Sequence, residues 1–298
     1  MTKTFILGVG AQKGGTTWLH RQLNSNTNVD FGFRKEYHVF DAIEDYEELK
    51  IGKNPKNGFR EKRINKILNA NKRGTLGRNL GIGRKRSNNT ALELAFIDNV
   101  DHYFDYFDYL YLKNPEVDAV GDITPNYALL QSKTYQLIRQ GLEQRGFNVK
   151  VFFLMRDPVE RVWSLARMKE RNMNDDKKSQ FNEFKFVEKA TLNGFTSYKS
   201  QYEKTIKQLE QVFDKTQIHY GFYENLFEPD NYHQIKMFLD IPLKPFDSSQ
   251  VFNASPKSSS LPAELNQKLV QHFKATYNFI ADRHGDVATK LWQGYQVL

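Results

Sequence analysis

The sequence predicts an α/β fold with three layers, in which a central parallel β-sheet is flanked by helices. Short apolar runs typical of strands alternate along the chain with segments whose apolar residues have helical spacing. The run at 150–155, KVFFLM, is continuously apolar after its first residue, as is typical of a strand buried on both faces of a parallel sheet. Ligands bind to such sheets beyond the carboxyl ends of the strands. A binding site is therefore expected where strands lead into helices.

The first half of the chain predicts a strand-loop-helix unit and a long aromatic helix. Residues 4–10 are β-branched and apolar and end in glycine, which predicts a strand, and Trp18, Leu19 and Leu23 follow at helical spacing. Residues 91–112 mix acidic side chains with seven aromatic ones, which predicts an amphipathic helix with a broad buried face. We assign these aromatic residues to packing.

The second half repeats the alternation of strands and helices. The strand at 150–155 leads directly into Asp157 and Pro158, which suit the N-cap and the first position of a helix. By the same patterns we predict a helix at 197–213, a strand at 217–222, and further helices at 231–239 and 262–283. The two strand-to-helix turns, after Gly10 and after Met155, should lie close together at one edge of the sheet.

Length and composition limit the class of protein. With 298 residues and 39% hydrophobic content, the chain can bury a substantial core, and we expect residues 1–298 to form one domain. No apolar stretch approaches the roughly 20 residues that cross a bilayer, so no membrane span is expected. The chain has no cysteine, which excludes disulfides, thiolate metal sites and a cysteine nucleophile. The expected location is the cytoplasm.

The positive charge is concentrated in one segment. Residues 50–86 hold 13 Lys and Arg against the single acid Glu61, a local charge of +12, while the whole chain carries +8. The rest of the chain is therefore slightly acidic, and we interpret about 50–90 as a basic insertion. This segment could bind a polyanion such as nucleic acid or an acidic polysaccharide, or it could be a solvated surface. Only Phe59 is available there to stack on bases, so sequence-specific binding of nucleic acid is the weaker interpretation.

A phosphate-binding loop follows the first strand. Residues 10–17, GAQKGGTT, match the pattern G-x-x-x-x-G-K-[ST] at Gly10, Gly15 and Thr17, but Thr16 occupies the lysine position and the lysine is Lys13. Glycines let backbone N–H groups surround phosphate oxygens, and the following helix presents its positive end. The sequence therefore predicts an anion site in a P-loop-like fold.

An atypical P-loop nucleotidase or kinase is one alternative. Such an enzyme needs magnesium held by the loop Ser/Thr and by an acid that ends a strand, and Asp157 could be that acid. However, Asp157 before Pro158 is explained by capping a helix, and the lysine beside Thr17 is absent. The nucleotidase is therefore the weaker hypothesis.

The segment QKGGTTWL, residues 12–19, resembles the 5′-phosphosulfate loop of sulfotransferases, whose donor is 3′-phosphoadenosine 5′-phosphosulfate (PAPS). The resemblance implies that Lys13 contacts the bridging oxygen of the donor. Negative charge builds up on that oxygen during sulfuryl transfer, so a lysine there stabilises the transition state more than the ground state. The donor-binding residues implied by this motif are Lys13, Gly14, Gly15, Thr16, Thr17 and Trp18.

A second motif, RDPVERVWS at 156–164, resembles the sulfotransferase segment that binds the 3′-phosphate of the donor. The resemblance implies phosphate contacts from Arg156, whose guanidinium offers a planar fork of donors, and from the hydroxyl of Ser164. ATP has no 3′-phosphate, so this pair would distinguish the two nucleotides. Near the C-terminus, Ser-Pro-Lys at 255–257 resembles a family loop that closes over the nucleotide and adds Lys257 to the same phosphate site.

A third motif, KEYHVFD at 35–41, resembles the KE-x-H-x-F segment of heparan-sulfate-type sulfotransferases. The resemblance implies that Glu36 is the catalytic base, a role that typically contributes about 10²–10⁴-fold. His38 is the rival base because its ordinary pKa suits proton abstraction near neutrality. Lys35 would add a cation for the donor or the acceptor. If the stretch is extended, Glu36 and His38 project to the same side.

The segment GDITPNY at 121–127 resembles G-E-x-T-P-x-Y of the same enzymes, with Asp122 in place of the usual glutamate as an acceptor contact. Together the motifs imply direct sulfuryl transfer from PAPS to a hydroxyl or amine, leaving 3′-phosphoadenosine 5′-phosphate (PAP). The resemblance implies a carbohydrate acceptor and no metal. A polyanion-binding module without activity, using the segment 50–86, is the second alternative.

Overall fold

The computed structural model describes residues 3–44, 61–66, 68–69, 89–192, 194–247, 249 and 260–298. Five strands form one sheet in the order β2-β3-β1-β4-β5, and all four pairings are parallel. The strands are β1 Thr4–Gly10, β2 Val29–Asp30, β3 Ala119–Ile123, β4 Asn148–Met155 and β5 Ile218–Phe222. The predicted α/β fold with a central parallel sheet is confirmed.

The sheet is buried on both faces because its central strands are apolar in both side-chain directions. Phe5 and Leu7 of β1 point into one apolar cluster, and Ile6 between them belongs to a second cluster on the opposite face. Strand β4 repeats this division with Phe153 on the first face and Leu154 on the second. This period of two places helices on both sides of the sheet, which gives the three predicted layers.

The helices vary from four to fourteen residues. They are α1 Thr16–Asn24, α2 Phe40–Ile43, α3 Thr90–Asp98, α4 Asp101–Leu112, α5 Ser132–Glu143, α6 Pro158–Arg171, α7 Asp175–Lys178, α8 Glu183–Leu192, α9 Gly194–Tyr198, α10 Tyr202–Glu210, α11 Pro229–Leu239, α12 Ala263–His272, α13 Lys274–His284 and α14 Asp286–Leu291. Short 3₁₀ turns lie at Pro125–Leu129, Lys215–Gln217, Tyr223–Asn225 and Gln293–Gln296. Residues 61–66 and 68–69, in the basic insertion, are also helical, while the rest of 50–86 lies outside the described residues.

The predicted helix at 91–112 is two helices, α3 and α4. Asn99 between them has an extended backbone, and its side-chain oxygen accepts a hydrogen bond from the Asp101 N–H at 3.0 Å. Asparagine at a helix start competes in this way with a continuous helix. The prediction that the aromatic residues pack is confirmed for six of the seven, which are buried in the core or packed against it, whereas Tyr109 is exposed.

Two other predicted helices are also interrupted. The helix at 197–213 is divided into α9 and α10, and the helix at 262–283 is divided into α12 and α13 at Phe273, whose backbone is not helical. Strand β5 and helix α11 agree with the prediction to within two residues. No described helix is long and apolar enough to cross a membrane. One domain over 1–298 and a cytoplasmic location stay predictions.

Candidate functional site

Every strand of the sheet sends a segment to a single cleft at the carboxyl edge. The cleft has a volume of about 640 Å³, within the range typical of ligand sites. The predicted residues that line it are Lys13, Gly15, Thr16, Thr17, Trp18, Glu36, His38, Arg156 and Ser164. Sequence reasoning missed Gln12, Pro125, Asn126, Met168, Arg171, Asn172, Lys199, Tyr223 and Phe227, which also line it. The two strand-to-helix turns therefore lie together, as predicted.

The loop after β1 is pressed against the end of β4. The Ala11 N–H donates to the Leu154 carbonyl oxygen at 2.6 Å, and a Cβ on Gly14 would collide with that same oxygen. Gly15 has a φ of 94°, a conformation that favours glycine, and it begins helix α1. Gly14 and Gly15 are therefore required by the path of the loop, and the loop directs Lys13 and the helix N-terminus into the cleft.

Three arginine side chains lie close to Lys13. Burial, together with the charges of Arg156, Arg171 and Arg167, lowers the pKa of Lys13 to about 8. The Nε and Nη1 atoms of Arg167 are buried and have no hydrogen-bond partner within the described ranges. Such a concentration of positive charge is costly unless an anion offsets it. This end of the cleft is suited to a ligand with more than one negative charge.

Arg156 is fixed at the end of β4 by several contacts. Its guanidinium carbon lies 4.2 Å from the centroid of the Tyr223 ring, and its Nη2 lies 3.5 Å from a Glu160 oxygen. Its Nη1 donates to the Lys13 carbonyl oxygen at 3.5 Å, a long bond that connects the two loops. Ser164 lies on helix α6, one turn before Met168 and two before Arg171, so the three residues share one face. The predicted pair Arg156 and Ser164 thus lines one cleft.

Asp157 has the structural role expected from its position before Pro158. One carboxylate oxygen accepts the N–H groups of Val159 and Glu160 at 2.9 and 3.1 Å, which caps helix α6. The other oxygen accepts the N–H of Gly294 at 2.9 Å. Both oxygens are occupied by protein donors, so Asp157 does not provide the free carboxylate that a P-loop nucleotidase would use for magnesium.

Glu36 is joined to the phosphate loop through Lys35 and contacts His38 on its other side. Lys35 Nζ lies 2.7 Å from Glu36 Oε1 and 3.3 Å from Thr16 Oγ1 at the start of helix α1. His38 Nε2 lies 3.3 Å from Glu36 Oε2. The stretch is not an extended strand, because His38 has a φ of 54°. Glu36 and His38 nevertheless face the same side.

The protonation states of Glu36 and His38 differ strongly. Burial raises the pKa of Glu36, but hydrogen bonds from His38 and Lys35 and their charges outweigh it, so the pKa falls to about 2. Burial lowers the pKa of His38, but the carboxylates of Asp41 and Glu36 outweigh it and raise the pKa to about 9. At neutral pH the site therefore holds a carboxylate beside an imidazolium. Only the carboxylate has a lone pair free to accept a proton.

A chain of buried polar groups extends behind His38. His38 Nδ1 lies 2.8 Å from Asp41 Oδ2, which also accepts from Asn126 Nδ2 at 3.0 Å. Asn126 Oδ1 in turn accepts from Lys199 Nζ at 2.7 Å. Burial, together with the charge of Arg161, lowers the pKa of Lys199 to about 8. Asp41 and Asn126 stand in the two motifs at 35–41 and 121–127, but no local pattern around Lys199 indicated that it lines the cleft.

The aromatic side of the cleft lies beside the phosphate loop. The rings of Trp18 and Phe227 meet edge to face with centroids 5.2 Å apart, and Phe227 contacts Tyr223 in the same way at 5.4 Å. Trp18 Nε1 is buried with no hydrogen-bond partner among the parts of the chain that the structure describes. Tyr223 and Phe227 follow strand β5, so their position here depends on the fold. Flat apolar surfaces of this kind suit the face of an aromatic base.

Three predicted site residues, Gly14, Lys35 and Asp122, do not line the cleft. Gly14 acts through its backbone, and Lys35 lies behind Glu36 and Thr16. Lys257 lies outside the described residues. Within the described ranges, no group of three His, Asp or Glu side chains is arranged to hold a metal ion.

The expected acceptor contact by Asp122 is wrong, because its side chain is 0% exposed. One oxygen accepts from Thr124 Oγ1 at 2.6 Å, and the other accepts from the hydroxyls of Tyr103 and Tyr127 at 3.0 and 2.8 Å. Burial raises the pKa of Asp122 to about 6 despite these donors. Asp122 therefore anchors the segments beneath the site and does not touch a ligand.

Replacing Asp122 with alanine should lower the free energy of unfolding by about 2–4 kcal/mol, because several buried donors lose their acceptor. Urea unfolding followed by circular dichroism measures this loss. Asp105→Ala, which removes an exposed ion pair with Arg145, should cost less than about 1 kcal/mol. If Asp122→Ala were as stable as the wild type but had lost only its affinity for the acceptor, a direct contact of Asp122 with the acceptor would be supported instead.

Comparison with known proteins agrees with this geometry. The model of the sulfotransferase domain family matches residues 2–274. A crystal structure of a sulfotransferase from Alicyclobacillus acidocaldarius aligns with a TM-score of 0.57 and 17% identity, covering 95% of this chain and 96% of that chain. No curated protein matches the sequence significantly.

Two further structures are similar at lower scores. The sulfotransferase domain from the curacin biosynthetic pathway aligns with a TM-score of 0.44 and 18% identity, covering 87% of this chain and 81% of its own. The sulfotransferase domain from the Synechococcus PCC 7002 olefin synthase aligns with a TM-score of 0.45 and 15% identity, covering 92% of this chain and 94% of that chain. The family match covers most of the chain, so this protein belongs to the sulfotransferase family.

Proposed function

We propose that this protein transfers a sulfuryl group from PAPS to a hydroxyl or amine of a carbohydrate acceptor. One observation carries the proposal: the cations Lys13, Arg156 and Arg171 line one cleft, and an ionised Glu36 lines the same cleft beside the phosphate loop. The first arrangement suits a nucleotide with two phosphate positions, and the second suits removal of a proton from an acceptor. The preference for a carbohydrate rests on the resemblance of residues 35–41 to heparan-sulfate-type enzymes.

The donor would lie along the cleft with its 5′-phosphosulfate at the loop after β1 and its 3′-phosphate at the end of β4. The loop amides, Lys13 and the positive end of helix α1 would hold the 5′-phosphosulfate. Arg156 and Ser164 would hold the 3′-phosphate, and the base would lie against Trp18 and its aromatic neighbours. The unpartnered buried nitrogens of Trp18, Arg156 and Arg167 support a polar, anionic ligand at this place.

Transfer requires one bond to form and one to break. The acceptor oxygen or nitrogen forms a bond to sulfur, while the bond from sulfur to the bridging oxygen breaks and its electron pair stays on the phosphate. The acceptor proton goes to Glu36, and the products are the sulfated acceptor and PAP. Lys13 stabilises the negative charge on the leaving oxygen. Lys35, bonded to both Thr16 and Glu36 behind the cleft, would hold Glu36 in place.

His38 has a supporting role in this proposal. Asp41 and Glu36 keep the imidazole protonated at neutral pH, so it has no lone pair with which to accept the acceptor proton. It donates to Glu36 and fixes the orientation of that carboxylate. Glu36 is therefore the stronger candidate for the base.

The binding test compares PAP with ATP, each with and without magnesium, by calorimetry. We expect PAP to bind tightly without magnesium and Arg156→Ala to weaken PAP by about 10–100-fold, because a bidentate charged contact is lost. The affinity of Arg156→Lys for PAP should lie between those of the wild type and Arg156→Ala, because lysine keeps the charge but lacks the planar fork of donors. Arg21→Ala, at an exposed position of helix α1, is the control.

Each alternative function predicts another result. A preference for ATP with magnesium would favour the nucleotidase over the sulfotransferase. Polyanion binding that weakens with salt and is indifferent to Arg156→Ala, together with no PAP binding, would favour the binding module.

A further inference from the structure

We infer that a C-terminal latch, formed by Tyr277, Trp292 and Gly294, positions Arg156 for recognition of the 3′-phosphate. This inference rests on the proposed function, because it concerns the same phosphate site. All three residues lie beyond residue 274, where the match to the sulfotransferase family ends. They lie behind the cleft and do not line it. Their effect on the ligand is therefore indirect, through Arg156.

The latch holds the residue that follows Arg156. Asp157 accepts hydrogen bonds from the Tyr277 hydroxyl and from the Gly294 N–H, each at 2.9 Å. Asp157 is 2% exposed, so water does not easily replace these donors. The backbone at the end of β4 is thereby tied to two points of the C-terminal segment.

A second connection runs through Glu224. One of its oxygens accepts the Asp157 backbone N–H at 2.9 Å, and the other accepts Trp292 Nε1 at 3.1 Å. The residue before Glu224 is Tyr223, whose ring faces the guanidinium of Arg156. Through Glu224, Trp292 therefore fixes the backbone beside Arg156 and the Tyr223 ring on which the Arg156 side chain rests.

A third connection runs through the aromatic core. Trp292 is 1% exposed, and its ring centroid lies 5.9 Å from that of Tyr202. The Tyr202 hydroxyl donates to the Arg156 carbonyl oxygen at 2.6 Å. The three connections reach Arg156 from the carbonyl, from the next residue in the chain and from the side-chain face. A guanidinium fork gains strength from alignment with a phosphate, so its positioning should control affinity.

The test uses Trp292→Phe, which removes the N–H donor to Glu224 but keeps a ring in the core. Calorimetry with the full-length chain compares PAP with adenosine 5′-phosphate, which lacks the 3′-phosphate. We expect PAP to bind about tenfold more weakly, with no change for adenosine 5′-phosphate, because only the 3′-phosphate contact depends on Arg156. Glu224→Gln leaves one of its two donors without an acceptor and should show the same selective loss.

Tyr135→Phe is the matched control, since it removes one buried hydroxyl bonded to the Tyr127 carbonyl and lies away from the latch. It should change neither affinity. Equal weakening of both nucleotides by Trp292→Phe and Glu224→Gln, or no weakening of either, would overturn the latch while leaving the Arg156→Ala result intact. If the wild type did not prefer PAP to adenosine 5′-phosphate, the proposed donor site would fail and the latch with it.

Discussion

Replacing Lys13 with methionine should lower kcat by about 10²–10³-fold, because the leaving oxygen loses the cation that stabilises its developing charge. Methionine has nearly the length of lysine, so the loop beside Gly14 and Gly15 keeps its packing. PAP should also bind more weakly, since Lys13 contributes to the positive end of the cleft before transfer occurs. Transfer of radiolabelled sulfate from PAPS to a panel of glycans, phenols and amines measures kcat, and calorimetry measures affinity.

The affinity of the wild type for PAP should also fall as pH rises through about 8. Lys13 loses its proton in that range, and neutral lysine does not attract an anion. Lys199 titrates in the same range in the same cleft, so the pH profile alone does not identify the group. Comparison with Lys13→Met does, because the profile should become flatter in that variant. A profile unchanged in Lys13→Met, with kcat retained, would contradict the role given to Lys13.

The phosphate loop could be predicted from the sequence because its geometry is local. Gly14 and Gly15 are needed where the chain turns from β1 into α1, and Lys13 is fixed by its place between them and the strand. Arg156 is similarly fixed by directly following a buried strand. In both cases a few adjacent residues determine the backbone, and the parallel sheet then brings the two turns together.

Other parts of the site depend on contacts between distant segments. Lys199 lies in the break between helices α9 and α10, and this break lets it reach the cleft. The hydrogen bonds that connect Lys199, Asn126 and Asp41 form only in the folded protein. Asp122 looked like a ligand contact because it stands in a motif, yet its strand turns it into the core. Trp292 lies more than 130 residues from Arg156 in sequence. Spacing along the chain contains no information about such pairs.

Replacing Glu36 with glutamine should lower kcat by about 10²–10⁴-fold while leaving the affinity for PAP unchanged. Glutamine keeps an oxygen that can accept from Lys35 or His38, so the surrounding geometry is largely retained, but it cannot accept the acceptor proton. This separation of kcat from donor affinity distinguishes Glu36 from Lys13, which should affect both. The same radiolabel assay and calorimetry measure the two quantities.

The titration of His38 provides an independent test of the same pair. In the wild type its pKa is raised to about 9 because the carboxylates of Asp41 and Glu36 stabilise the imidazolium. Glu36→Gln removes one of these charges, so the pKa of His38 measured by NMR should fall towards its ordinary value while staying above it, since Asp41 remains.

The result also decides between the two candidate bases. If Glu36→Gln kept full activity and activity instead rose with the fraction of neutral His38, the imidazole would be the base and Glu36 would only orient it. If activity is lost while His38 becomes easier to deprotonate, a more available imidazole has failed to replace the carboxylate. That combination would assign proton removal to Glu36, because the variant offers the rival base its best conditions.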